Sequence, residues 1–286
     1  MDFKNKPYIP TFWYSSNNFG DAVTHYLVQK ISGKMPVFLE PHEEETKIMV
    51  TGSILNNIVK NAIVWGCGIA SAEDCIPNHD IRAVRGKLLL EKLKNLKENP
   101  PVNEDGVPII NYTYDVDKIA IGDPCLLLPK YYNPKINKKY RVGIIPHYID
   151  TKDFWNKIGK TQSELDGWGI LVIDVNNQVE EFINQVLYCE IILSSSLHGI
   201  ICADAYGVPS TYIQITNRIL GDGFKYKDWF SNFVNRDFDC YDWRKSEKIE
   251  IEDVIDIVKN KNSQIVWNKH LSISLQYLLE TCPFKQ

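Results

Sequence analysis

The sequence predicts an α/β protein made of two parallel-sheet domains with a ligand crevice between them. Short apolar runs alternate with amphipathic stretches through both halves, the order of a parallel sheet covered by helices on both faces. The alternation breaks over the polar stretch 129–139, which carries Pro129 and Pro134, and then restarts. The 286 residues suffice for two domains of ordinary size. The boundary is therefore placed between an N-terminal domain, 1–135, and a C-terminal domain, 136–286, that ends in helices.

In the first half, Phe12 to Tyr14 reads as a strand and Ala22 to Ile31 as a helix with Val23, Leu27 and Ile31 on one face. Pro36 to Leu39, Lys47 to Thr51 and Ala62 to Trp65 read as strands, with the solvated run Glu43 to Glu45 between the first two. Arg82 to Leu96 reads as a helix. Residues 97–117 hold Pro100, Pro101, Gly106 and Pro108, a loop signature, and Ile119 to Ile121 reads as a buried strand. In the second half, Arg141 to Ile145, Ile170 to Val175, Cys189 to Leu193 and Thr211 to Ile213 read as strands. Gln178 to Tyr188, Ile249 to Lys259 and Gln264 to Leu279 read as helices. In such sheets ligands bind outside the carboxyl ends of the strands.

Composition narrows the function classes. Hydrophobic residues make up 44% and charged residues 24%, an ordinary globular balance. A net charge of −4 gives no electrostatic footprint for nucleic acid. No run approaches the ~18 apolar residues of a membrane span. The N-terminus lacks a signal-peptide core, so a cytoplasmic location is expected. The seven cysteines form no CxxC pair and read as buried, reduced thiols. No His/Cys/Asp cluster has metal-site spacing.

The stretch Ile191 to Pro209 carries the strongest chemical signal. A short apolar strand is followed at once by Ser194, Ser195 and Ser196, then by Leu197 and His198 in the first turn of a helix that Gly207 and Pro209 end. A helix N-terminus has unpaired N–H groups and suits an anion. The block is either a phosphate or carboxylate cradle beside an acid–base histidine, or a serine-capped core helix. Four further places could carry chemistry. Asn17 to Asp21 brings Asn18 and Gly20 before Asp21, which is either a ligand group or a helix cap. Gly66 and Gly68 flank Cys67 at a strand end, where a backbone could approach a ligand closely. Arg82 and Arg85 open the predicted helix, where the dipole disfavours cations, and so suggest an anion site or a plain surface pair. His147 follows Pro146 at the carboxyl end of a strand.

Taken in order, Asn18-Phe19-Gly20-Asp21, Trp65 to Ile69, Val84-Arg85-Gly86, Gly122 to Pro129, Val142 to Tyr148, Ser194 to Pro209 and Ile219 to Asp228 resemble the polysaccharide pyruvyl transferase family. The resemblance runs from residue 11 to residue 235. It implies two Rossmann-like domains arranged as in GT-B glycosyltransferases. It implies phosphoenolpyruvate as co-substrate, no cofactor and no metal. The acceptor would be a hexose of a polysaccharide repeat unit, including polyprenyl-diphosphate-linked ones, and the product a cyclic pyruvate ketal. A lipid-linked acceptor would bring the enzyme to the inner face of the membrane without an anchor.

Under that resemblance Arg85 and Arg82, with Ser194, Ser195, Ser196 and Leu197, hold the donor's phosphate and carboxylate. His198 is the general acid; a helix N-terminus would lower its pKa and a bound phosphate dianion raise it. Asp21 and His147 are the candidate bases. Asn18, Gly20, Gly66 and Gly68 serve the acceptor or a close backbone approach. Ser196 stands where many relatives carry an arginine, and Lys225 could add positive charge. The long segment 97–117 reads as an insertion shaping the acceptor site. The competing readings are a nucleotide-sugar glycosyltransferase of similar fold and a non-catalytic carbohydrate-binding protein.

Overall fold

The computed structural model describes residues 3–14, 18–233, 236, 238, 240–260 and 269–285. The first half forms β1 (Tyr8–Thr11), α1 (Phe19–Ser32), β2 (Met35–Phe38), β3 (Lys47–Met49), β4 (Ala62–Trp65), β5 (Asp80–Val84), α2 (Lys87–Glu98), β6 (Ala120–Ile121) and α3 (Leu128–Tyr131). The second forms β7 (Tyr140–Ile145), α4 (Thr151–Ile158), α5 (Gln162–Asp166), β8 (Ile170–Val172), α6 (Val179–Tyr188), β9 (Cys189–Ser194), α7 (Leu197–Ala205), β10 (Ser210–Gln214), α8 (Phe224–Phe230), β11 (Cys240–Asp242), α9 (Ile251–Asn260) and α10 (Lys269–Glu280).

Both sheets are parallel throughout, one with strand order β2-β1-β3-β4-β5-β6 and the other β8-β7-β9-β10-β11. This is the α/β class expected of two Rossmann-like units. Counted within each half, both orders begin 2-1-3-4-5. The order therefore reverses between β1 and β3 and again between β7 and β9. The crevices outside those strand ends are where such sheets place ligands.

Local chemistry explains most boundaries. Asn18 caps α1 by accepting the Asp21 N–H, and Gly33 ends it in the left-handed conformation at φ 67°. The first strand lies earlier than the expected Phe12 to Tyr14. Pro10 argues against a strand there, because proline cannot donate to a ladder. Its missing N–H faces β3, which β1 meets only at Thr11, so no ladder bond is lost. The segment opening at Arg82 is a strand rather than a helix. Ile81 and Ala83 are buried while Asp80 and Arg82 point outward, a period of two, and extended Gly86 separates this strand from α2. Residues 264–268 of the last expected helix lie outside the described residues.

Three apolar clusters make the core. One lies on the outer side of each sheet, and the third joins the two halves. In the shared cluster Phe19 of α1 stacks on Phe182 of α6 with centroids 4.0 Å apart. Helix α10 returns to the first half, where Trp65 Nε1 donates to the Leu278 carbonyl at 2.8 Å and Phe284 meets the Trp65 ring edge-on. Trp65 is fully buried. Trp65→Ala is expected to cost about 3–5 kcal/mol of unfolding free energy, read from chemical denaturation. A loss below about 1 kcal/mol would mean that α10 does not seal this face.

The segment 97–117 does not shape the crevice. Its Tyr112 and Tyr114 are buried in the outer cluster of the first sheet, where they donate to the Ile76 and Leu93 carbonyls. All seven cysteines are free, and burial pushes the Cys67 thiol up to about 12.

Candidate functional site

The expected crevice exists as a cavity of about 370 Å³ at the carboxyl ends of both sheets. The first half contributes Tyr14, Asn18, Asp21, Gly52 and Ser53; the second contributes His147, Ser196, Leu197, His198 and Lys225.

The serine turn divides its labour. The Ser194 hydroxyl meets the Ile145 carbonyl at 3.0 Å and accepts the Ser196 N–H. The Ser195 hydroxyl donates to Asp150 at 2.8 Å and accepts the His147 N–H. Both side chains are buried, so they shape the turn and do not face a ligand. That corrects their expected place in the donor cradle. Ser196 caps α7 without a side-chain bond of its own and lines the cavity with Leu197. First-turn N–H groups of a helix have no intrahelical partner, and Ser196, Leu197 and His198 at the start of α7 line the cavity.

His198 is gripped on two sides. Its ring lies against Gly20, where an added methyl would overlap it. Its Nε2 stands 3.5 Å from Asp123 Oδ2. Asp123 is fully buried, and its Oδ1 accepts the Cys125 N–H at 3.0 Å. The same Oδ2 lies 3.6 Å from Arg85 Nε. Arg85 Nε, Asp123 Oδ2 and His198 Nε2 are all buried and have no hydrogen-bond partner among the described residues. They form one row in which a guanidinium and a carboxylate offset each other's burial and the carboxylate faces the imidazole. With Nε2 turned toward Asp123, Nδ1 lies on the Gly20 side of the ring, and the residue lines the cavity.

Arg85 does not reach the cavity. It is fully buried, and its guanidinium donates to the Gly52 carbonyl and, at 3.2 Å, to Ser53 Oγ. It holds the Gly52–Ser53 turn and Asp123, not an anion in the crevice. Arg82 lies elsewhere, on β5, with its guanidinium on Asp80 at 3.0 Å. Gly66 and Gly68 also work behind the site. Gly66, at φ 99°, leaves room for Pro124, and Gly68 for the Arg85 guanidinium. Side chains there would displace the Arg85–Asp123 pair.

The cavity cation is Lys225, the one lysine or arginine among its described lining residues. Burial, and then the nearby Arg85, lower its ammonium to about 8. Burial, then Lys225 and His198, hold the His147 imidazole down to about 3. His147 is therefore neutral, and its Nδ1 accepts the Ile149 N–H at 3.3 Å. Its Nε2 carries the proton, which makes it a donor and removes it as a general base. Asp21 accepts from Asn18 Nδ2 at 2.8 Å and lines the cavity.

The structure thus brings together His198, Asp21, Asn18, His147, Ser196 and Leu197, with Gly20 behind the imidazole. Sequence reasoning missed Asp123 and Ser53. Asp123 had a readable signal: a carboxylate just ahead of the apolar run Cys125 to Leu128 and behind the buried strand Ile119 to Ile121 is expected to be buried and paired.

Two parallel sheets converge on a cavity lined by His198, His147, Asp21 and Lys225, and this makes the molecule an α/β protein with a polar cleft at its strand ends. The chain belongs to the polysaccharide pyruvyl transferase family, whose profile matches residues 2–217. Two curated proteins are similar to this chain. The uncharacterized protein L143 of Acanthamoeba polyphaga mimivirus is 27% identical over 77% of this chain and 72% of its own length. The succinoglycan biosynthesis protein ExoV of Rhizobium meliloti is 28% identical over 77% of this chain and 63% of its own. A crystal structure of a functionally uncharacterized Klebsiella pneumoniae protein superposes with a TM-score of 0.45 at 12% identity, covering 87% of this chain and 94% of that one. Among the described residues no helix is long and apolar enough to cross a membrane.

Proposed function

We propose that the protein transfers the three-carbon skeleton of phosphoenolpyruvate to two hydroxyls of one hexose, forming a cyclic pyruvate ketal and releasing phosphate. The observation that carries this reading is the fixed orientation of His198. Asp123 faces Nε2 at 3.5 Å and Gly20 backs the ring, while His198 lines the cavity with Asp21 and Lys225.

The donor is a small anion with a phosphate and a carboxylate. The N–H groups opening α7, the Ser196 hydroxyl and Lys225 meet the phosphate. Neutral His147 donates to the carboxylate. His198 gives a proton to the methylene carbon, which leaves positive charge on the carbon bearing the phosphate. The first sugar hydroxyl attacks that carbon and passes its proton to Asp21. The carbon–oxygen bond to phosphate breaks, and the phosphate leaves with that proton. The second hydroxyl closes the ring and returns its proton to His198, so the enzyme ends as it began.

The test is phosphate release from phosphoenolpyruvate with a panel of galactose-, glucose- and mannose-ended acceptors, each product followed by mass spectrometry. Acceptor-dependent release with a carboxyethylidene gain is the expected result. No binding of phosphoenolpyruvate, with binding of a nucleotide sugar, would replace this reading by glycosyl transfer.

Lys225 gives the binding step a pH dependence. Its ammonium is charged below about 8 and neutral above. Phosphoenolpyruvate Kd is expected to rise as the pH passes 8, approaching tenfold per unit until the bound form also loses the proton. Lys225→Met should weaken binding at pH 7 and flatten this rise. An unchanged slope in the variant would assign the cation role elsewhere.

A further inference from the structure

A second, larger cavity of about 830 Å³ adjoins the first, and Asp21 lines both. Its walls come from α1 and the chain before it on one side, and from the turn entering α6 on the other. It thus opens at the carboxyl ends of β1 and β8, one strand from each sheet.

Its chemistry differs from that of the first cavity. Trp13 is half-buried, fixed against Phe38 and His25 by edge-on ring contacts. Gln29, Asn176 and Gln178 bring amides that both donate and accept hydrogen bonds. The Gln29 and Gln178 side chains are exposed and bonded to no described residue. No lysine or arginine stands among the described lining residues, whereas Asp21 and Glu180 are acidic. An anion is disfavoured there, and a ligand dense in hydroxyls beside an aromatic surface is favoured.

We propose that this cavity is the subsite for the neutral sugar units adjoining the hexose that is modified. The substrate class rests on the pyruvyl-transfer reading. Asp21 supplies the continuity, because the base that takes the proton from the reacting hydroxyl also forms the near wall of the second cavity. The acceptor would thread from the amide-lined cavity into the one that holds His198, with only its reacting ring beside Lys225.

The experiment measures binding without requiring turnover. Saturation-transfer NMR compares single galactose, glucose and mannose with neutral oligosaccharides ended in the same sugars, on the wild-type chain and on Gln29→Ala/Gln178→Ala. The expected result is that one oligosaccharide binds about tenfold more tightly than its single sugar and that the double variant removes this gain, while phosphoenolpyruvate binding is unchanged. Both substitutions are at exposed positions, so folding is retained. Oligosaccharides that gain nothing over single sugars, or a gain that survives in the variant, overturn the proposal. Variant-sensitive oligosaccharide binding without phosphate release would leave the subsite standing and sink pyruvyl transfer. Phosphate release indifferent to chain length and to the variant would do the reverse.

Discussion

His198→Ala lowers turnover of phosphoenolpyruvate about a thousandfold, within the range by which a positioned acid accelerates proton transfer, while Kd for the donor changes little. On the proposed reading the Kd holds, because the groups assigned to the phosphate (Lys225, Ser196 and backbone N–H groups) and to the carboxylate (His147) are all retained. The measurement is acceptor-dependent phosphate release beside equilibrium donor binding. Full turnover in the variant would remove His198 from the chemistry. A companion substitution tests the orientation rather than the group. Gly20→Ala keeps the imidazole but drives a methyl into its ring. It is expected to lower kcat strongly with the fold intact. A variant of unchanged kcat would show that the ring position is not critical.

Asp123→Asn has the second large effect, and it falls on stability as well as on rate. The carboxylate is fully buried beside Arg85 Nε at 3.6 Å and His198 Nε2 at 3.5 Å. Removing its charge leaves a buried guanidinium uncompensated, a loss of about 3–5 kcal/mol. Asp123→Asn/Arg85→Met removes both charges and is expected to regain much of the stability in chemical denaturation. Activity should not return, because His198 Nε2 then faces an amide in place of the carboxylate. Restored activity in the double variant would reduce Asp123 to a packing residue. A single variant of wild-type stability would show that the pair is not isolated from water.

The parts of the site that sequence reasoning finds are those whose chemistry is local. The run from Ile191 to Pro209 states strand, cap, helix and stop within itself, and the structure returns β9, the Ser196 cap and α7. Asn18 and Asp21 are legible for the same reason. What escapes depends on contacts across the fold. Nothing near Arg85 says that its guanidinium turns inward to Gly52 and Ser53, which lie 33 and 32 residues away along the chain. Ser194 and Ser195 look like ligand hydroxyls until Ile145 and Asp150 are placed beside them. Arg82 misleads because a two-residue period was read as the start of the following helix. Lys225 stands beside His147 and Arg85 only once α8 packs between the halves; its sequence neighbours Lys227 and Asp228 suggest a solvated face.

The apolar seam through Phe19 and Phe182 has a consequence for how the enzyme cycles. The two halves share one continuous cluster, and α8 ties them again where Asp228 accepts the Leu89 N–H of α2 at 2.9 Å. Swinging the sheets apart would wet that seam and break the tie, so the expected behaviour of the molecule is that of a rigid mould rather than a jaw. Its radius of gyration in solution scattering should then be the same with and without phosphoenolpyruvate. Substrates would arrive and phosphate depart through a permanently open mouth, and exclusion of water from the charged intermediate would fall to the acceptor sugar itself. The sugar would act as the stopper of the vessel in which it reacts.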